Sequence, residues 1–283
     1  VPDWAAQDPR IVVAPVFPDD GPAVAIIIPT KNGHAIVRRC LDSLARTSYR
    51  NWHVYLVDSM SDDPESLAWF ASLPEDRVTV LRIENGPGGF SYSRVNNLAV
   101  GMTRGEEYLL FLNNDTEVIH DDWLRIMHSW SQRPSIGAVG VKLLYHNDTI
   151  QHAGVIIGLG GVAGHTFVGY HKDGPGYFNY INTVNNNSAV TAACMMVQRS
   201  KLERIGGWEE LFTVEYNDVD LCLRLREAGF NNVYVPDVSL YHFESLTRGH
   251  PHMTKESYER HLREVGLFKE RWASYVADDR CYN

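Results

Sequence analysis

The sequence has no apolar run near the roughly 20 residues needed to span a bilayer, and its start lacks the form of a signal peptide. Its four cysteines, Cys40, Cys194, Cys222 and Cys281, stand alone, with no CxxC pair among them. That excludes a disulfide framework and points to a reducing cytosol rather than secretion. Basic residues are in the minority, 26 Lys and Arg against 35 Asp and Glu, giving a formal charge of −9. This balance argues against a non-specific nucleic-acid binder. It also means that an anionic ligand would need a local device, such as a metal ion. The glycine loop at 85–89 lacks the dinucleotide pattern GxGxxG and the Gly-Lys-Ser/Thr of a P-loop. A plain flexible turn accounts for it. No internal repeat or low-complexity tract is visible. The chain begins at Val1 rather than Met and ends at Asn283. It is read as a domain excised from something longer, a processed terminus being the alternative.

What is present is a core, with 44% of residues hydrophobic, and a strong alternation of strand and helix patterns. The stretch YLLFLNNDTEV, 108–118, organises the rest. Leu109 to Leu112 read as a strand buried on both faces, as in a parallel sheet between helices. The strand ends in Asn113, Asn114 and Asp115. Ligands in open α/β sheets bind at the carboxyl ends of strands, and a lone carboxylate there can hold a hard cation while leaving positions open for phosphate oxygens. The alternative is an ordinary strand-to-turn junction, which Asn and Asp also favour.

Residues 1–22 read as a lead-in, with an apolar patch at 11–13. A buried strand is expected at 23–29, with Pro29 ending its ladder. An amphipathic helix follows at 34–46, then a strand at 52–57 running into Asp58. Pro64 suits the first turn of the next helix. A strand at 78–83, a helix at 92–102, the central strand, a helix after Asp121 and Asp122, and a strand at 136–144 complete a parallel α/β pattern. Beyond it, 151–169 is Gly-rich and alternating. Residues 170–187 read as a long loop, a candidate substrate flap. Thr191 to Gln198 read as a strand, 200–205 as a short helix, 218–228 as a helix stopped by Gly229, 233–235 and 238–240 as short strands, and 255–275 as a long amphipathic helix. Cys40, Cys194 and Cys222 fall in apolar patterns and read as core.

Five stretches then stand in order: IIIPTKNG, VDSMSDD, FLNNDTE, GGWEELFTVEYNDVDLCLRLREAGF and LYHFESLTRG. Together they resemble the inverting family 2 glycosyltransferases of the GT-A fold, and within them the bacterial O-antigen and rhamnan-type branch. The resemblance covers roughly residues 24–248. It implies a mostly parallel Rossmann-like sheet flanked by helices, with a nucleotide-binding half at 23–145, a mixed acceptor half at 146–250, and a C-terminal helix and tail at 251–283 leading into further chain. It implies a hexosyl- or deoxyhexosyltransferase that moves a sugar from a nucleotide-sugar donor, UDP- or dTDP-linked, to a saccharide or lipid-linked saccharide. The setting would be bacterial cell-surface polysaccharide synthesis in the cytoplasm, at the inner face of the membrane, with peripheral contact through flanking regions.

The resemblance also distributes roles. Pro29, Lys31 and Asn32 would wall the nucleotide pocket. Asp58 would accept from the N–H of a pyrimidine base, unless it is a turn-forming Asp; Asp63 would assist. Asn97 matches a family Asn in the helix before the metal strand, although the Arg that often precedes it is Asn96 here. Asn113, Asn114 and Asp115 match an Asp-x-Asp motif whose first Asp is replaced, leaving Asp115 as metal ligand and Asn113 for ribose or metal-bound water. His242 would be the second ligand to Mn²⁺ or Mg²⁺, a structural His being the alternative. Asp218 would be the general base, with Asn217 where the family often has Glu, and Asp220 would serve structure. Trp208 and Glu209 would meet the acceptor, Trp208 by stacking on a sugar ring unless it is a core Trp. Arg248 would meet the diphosphate. Two rivals remain at this point: a sugar-phosphate nucleotidyltransferase, for which the basic Gly-rich loop after the first strand is missing, and a non-catalytic glycan-binding relative.

Overall fold

A computed structural model describes residues 18–243 and 254–282. Its first half follows the alternation read from the sequence. Strand β1 (Val24–Thr30) leads to helix α1 (His34–Leu44), β2 (Trp52–Asp58), α2 (Pro64–Phe70), β3 (Val78–Arg82), α3 (Tyr92–Met102) and β4 (Tyr108–Leu112). Then come β5 (Thr116–Val118), α4 (Trp123–Ser131) and β6 (Ile136–Leu144). Strands β4, β1, β2 and β3 lie side by side and parallel.

Pro29 does not end the β1 ladder. It pairs with Val57, and the register runs on to Thr30 opposite Asp58. The bonds Val24 N to Asn51 O and Ser59 N to Thr30 O turn the even residues of β1 toward β2. Odd residues, Pro29 among them, face β4, whose pairing with β1 stops at Ile27 and Phe111. The missing N–H therefore falls where no partner strand waits.

The second half contributes β7 (Ile150–His152), a small hairpin of β8 (Val155–Ile157) and β9 (Ala163–His165), and β10 (Asn185–Asn187). The stretch expected as a loop thus holds a 3-10 turn at Tyr177–Asn182 and an edge strand. After it come β11 (Cys194–Gln198), α5 (Arg199–Arg204), α6 (Asn217–Glu227), β12 (Asn231–His242), α7 (Lys255–Arg271) and the short α8 (Ala273–Ala277). The two strands expected at 233–235 and 238–240 are one strand. Its register against β6 slips between Val235 and Ser239, where Pro236 interrupts the ladder.

All but β8 and β9 join one ten-stranded sheet, ordered β10-β12-β6-β11-β4-β1-β2-β3, with β5 against β12 and β7 against β6. Strand β11 is antiparallel to both neighbours, β4 and β6. The expected nucleotide and acceptor halves therefore share a single sheet.

Two cores cover its faces, and β4 shows why its apolar run is continuous. Leu109 and Phe111 point into a core with Trp208, Leu221 and Phe268, while Leu110 and Leu112 point into the other, with Ile26, Trp123 and Met127. Cys40, Cys194 and Cys222 are buried, as their patterns predict. Among the described residues no helix is long and apolar enough to cross a membrane.

Candidate active site

The polar residues after β4 are held from three sides. Asn113 N donates to Ala193 O, which fixes the exit of β4 against the segment entering β11. Asn114 Nδ2 donates to Thr30 Oγ1 at 2.9 Å, tying this turn to the end of β1. Phe243 N donates to Asp115 O at 2.9 Å, and His242 pairs with Thr116 in the β12–β5 ladder. The end of the long strand β12 is thereby placed over the end of β4.

This brings Asp115 and His242 together. Asp115 Oδ1 lies 3.2 Å from His242 Nε2, with both residues under 10% exposed, at 6% and 8%. On the far side of the ring, Nδ1 stands 2.6 Å from Gln151 Oε1. Since that oxygen only accepts, Nδ1 is the donor to it, and in the neutral form of the ring the lone pair lies at Nε2. Asn113 Nδ2 approaches the same nitrogen at 3.2 Å. Asp115 Oδ1 is buried and has no hydrogen-bond partner. A buried carboxylate oxygen facing an imidazole lone pair repels it unless a proton or a cation lies between them.

The donor set fits a divalent cation. Ligands bound at roughly 2.1 Å and at right angles stand about 3.0 Å apart, close to the observed gap. A ligating His normally gives its other N–H to a fixed acceptor, as His242 does to Gln151. Among the described residues no cluster of three or more His, Cys, Asp or Glu could hold a metal. Two protein ligands leave most of a coordination shell for oxygens brought by a donor or by water.

Asp218 lies in the first turn of α6 and is partly exposed. Its Oδ2 accepts from Ala192 N at 3.0 Å and its Oδ1 from Val219 N at 2.8 Å. Ala192 directly precedes Ala193, the residue that accepts from Asn113 N, so one dipeptide links Asp218 to the end of β4. The two backbone donors fix the plane of the carboxylate and leave other lone pairs free. Asp220 is fully buried between Arg224 Nε at 2.7 Å, Trp272 Nε1 at 3.0 Å and Arg271 Nε at 3.4 Å. It serves structure, as its place two residues on along the helix implies.

Other expected site residues are differently employed. Asp58 is 2% exposed, with Oδ2 bound to Arg82 Nη1 at 2.6 Å and Oδ1 to Ser61 N at 2.8 Å. The carboxylate expected to accept from a base N–H is thus already paired. Asp63 caps α2 through Ser66 N and so is turned away from assisting Asp58. Asn32 adopts a left-handed conformation with φ 56°. Its amide bonds Asp62 Oδ1 and accepts from the amides of Asp62 and Asp63, locking the first loop to the second. Lys31 is exposed, 3.7 Å from Asp62 Oδ2.

Two expectations are corrected. Asn97 does not face a nucleotide: it accepts from Trp208 N at 2.8 Å and donates to Trp208 O at 2.9 Å, closing on that backbone as a strand would. Gly207 (φ 77°) is needed beside it, because a Cβ there would stand 2.7 Å from Asn97 Oδ1. Trp208 offers no face to an acceptor. It is 2% exposed, wedged edge-on between Phe111 and Tyr92 at ring distances of 4.8 and 5.4 Å. Its period in the chain marks a core residue as well as it marks a stacking platform, and packing decides. Glu209 is paired with Arg271 Nη1 at 2.9 Å, and that bond holds its carboxyl below the usual range. Arg248 and the lead-in residues 1–17 lie outside the described residues.

Sequence reasoning missed Gln151, Arg82 and Thr30. Arg82 had a signal: it is the last residue of β3, opposite Asp58 in the parallel register. Gln151 had none, since its role depends on β7 folding back along β6.

A helix-flanked, mostly parallel sheet of this kind is the GT-A fold. The mannosyltransferase PcManGT of Pyrobaculum calidifontis, solved with GDP-Man and Mn²⁺, has the same fold, with a TM-score of 0.60 at 19% identity, over 92% of this chain and 66% of that one. The family described as "Glycosyltransferase like family 2" matches residues 22–266, and the chain belongs to it. It is 45% identical over 273 residues to the uncharacterized protein y4gI of Sinorhizobium fredii, covering 95% of this chain and 30% of that protein. It is 40% identical over 230 residues to the O-antigen biosynthesis protein RfbC of Myxococcus xanthus, covering 80% of this chain and 18% of RfbC. The chain thus spans less than a third of either relative.

Proposed function

We propose that this chain is the catalytic domain of an inverting, metal-dependent glycosyltransferase. It moves a sugar from a UDP- or dTDP-sugar to a hydroxyl of a saccharide or lipid-linked saccharide during bacterial surface polysaccharide synthesis, at the cytoplasmic face of the membrane. The observation that carries this reading is the unpartnered Asp115 Oδ1 facing His242 Nε2 at 3.2 Å. The likeness to RfbC supports the polysaccharide setting, and the Mn²⁺ in PcManGT supports the metal.

In this reading Asp115 and His242 would hold the cation, with Gln151 fixing the tautomer of His242. Bound there, Mn²⁺ or Mg²⁺ would supply positive charge to the leaving diphosphate. Asn113 bonds ribose or a metal-bound water, and Pro29, Lys31 and Asn32 wall the nucleotide. Asp218 takes the acceptor hydroxyl proton as that oxygen attacks the anomeric carbon from the face opposite the diphosphate. The bond from Ala192 N to its carboxylate, next to the Ala193 that accepts from Asn113 N, supports this role.

The test is calorimetric titration with UDP, dTDP and GDP, with and without Mn²⁺, followed by transfer from the corresponding sugar nucleotides. Tight binding of a pyrimidine diphosphate only with the metal is the expected result. Metal-independent binding, or no nucleotide binding, would overturn the reading.

A further inference from the structure

Helix α7 opens with a capping box between Thr254 and Ser257 and lays one face along the segment that carries Asp218. His261, Glu264, Phe268 and Arg271 recur at helical spacing and so share that face. His261 Nδ1 meets Glu215 Oε2 at 2.5 Å. Phe268 is buried, its ring 5.3 Å from Tyr216 and 6.2 Å from Phe212. Arg271 bonds Glu209 and approaches Asp220.

Glu264 is at the centre and is 2% exposed. Its Oε1 accepts from Thr213 N at 3.1 Å and from the Thr213 hydroxyl. Its Oε2 accepts from Val214 N at 3.2 Å and Glu215 N at 2.6 Å. Three successive backbone amides therefore converge on one carboxylate. The opposite edge of the segment is held by α3, with Tyr92 N donating to Thr213 O and Ser93 Oγ to Phe212 O. The next residue, Tyr216, is left-handed with φ 58°. Such a conformation persists in a bulky residue only where the surroundings over-determine it. Asp218 follows two residues later.

We infer that Glu264 is a positioning residue for Asp218, acting through the amides of Thr213, Val214 and Glu215; the inference rests on the transferase reading above. Glu264 touches neither donor nor acceptor. It fixes where α6 begins, and with it the place of the carboxylate that removes the proton.

The test uses the full chain. Glu264→Gln keeps the length but turns an NH₂ toward backbone donors. Its kcat should fall on the order of 10–100-fold, because displacements near 1 Å cost that much in an oriented site. Its UDP or dTDP affinity in Mn²⁺ should stay within about twofold, since the hydrogen bonds of Asp115 and His242 go to no residue of α7. Amide hydrogen exchange in 213–216 should speed up while β1 to β4 keep their protection. Wild-type kcat in the folded variant, or an equal loss of kcat and donor affinity, would overturn the inference. Should Glu264→Gln fail to fold, Thr213→Val, which removes only the hydroxyl donor, decides: a several-fold loss of kcat at unchanged donor affinity supports it, and full kcat sinks it. Wild-type transfer abolished by Asp218→Asn but kept by Glu264→Gln would sink this inference alone. A wild-type chain that transfers no sugar would sink the transferase reading and this inference with it.

Discussion

Asp115, just before β5, and His242, at the end of β12, meet at one end of the β5–β12 ladder, with 3.2 Å between Oδ1 and Nε2; Asn113 Nδ2 lies 3.2 Å from that nitrogen, while Oδ1 has no hydrogen-bond donor. Asp115→Ala and His242→Ala should each abolish the Mn²⁺-dependent part of nucleotide binding, as should EDTA on the unaltered chain. Gln151→Leu should keep both ligands and weaken Mn²⁺ about 10–100-fold, the usual cost of losing a partner behind a ligand. Titrations of Mn²⁺ at fixed UDP check both.

Asp218→Asn keeps the shape and the bond from Ala192 N but cannot take a proton. Turnover should drop on the order of 10²–10⁴-fold with donor affinity unchanged. Near-normal transfer at saturating acceptor would remove Asp218 from the role. Neither Glu209, paired with Arg271, nor Glu215, paired with His261, is as free to replace it.

Because Asp58 is buried against Arg82, its replacement touches the fold as well as any base contact. Arg82→Ala should cost about 1–3 kcal/mol in urea unfolding, the price of a buried acceptor left short of a donor. Asp58→Ala should lower both stability and affinity for UDP. A variant of full stability with weakened UDP binding would show that the pair is structurally idle.

Trp208→Ala should destabilise by about 3–5 kcal/mol, as large-to-small changes in a packed core do. Thermal unfolding measures it. A selective rise in acceptor KM with unchanged stability would restore the stacking role that burial denies it.

His128 is buried between the rings of Tyr49 and Tyr108, with neither ring nitrogen hydrogen-bonded, and burial pushes its pKa below the ordinary value of 6.5. Below pH 6.5 the unfolded chain therefore takes up a proton that the folded chain refuses. Stability should be complete above pH 6.5 and decline as pH falls through the window below it. His128→Phe should flatten that decline in urea unfolding between pH 7 and pH 5.

The strand–helix alternation of the first half and the polar strand end that carries the candidate site were legible because both rest on local pattern. A continuous run such as Leu109 to Leu112 can be satisfied only by two covered faces, and its polar exit at Asn113 to Asp115 marks a strand end. Which polar group has claimed a given carboxylate was not legible. Asp58 and Asp218 look alike as strand- or helix-end acids, yet one is closed by Arg82 and the other only braced by backbone. Asn97 and Trp208 fit a nucleotide or sugar by motif, but each is spent on the other. Such assignments depend on which loops meet, and periodicity carries no record of that.

The antiparallel insertion of β11 has a consequence for synthesis. A nascent chain that has emerged as far as Leu144 holds β4 and β6 but lacks the strand that lies between them. Both strands then present unpaired edges, the kind that recruit other chains. The gap closes only when β11 arrives, and β6 is covered on its far side only by β12. The same strand delivers His242. Among the described residues β12 is the last strand, so its arrival both covers β6 and brings His242 to Asp115. Long-range closures of this kind are slow, and a ribosome-arrested chain ending before β11 should bind holdase chaperones far longer than one ending after β12.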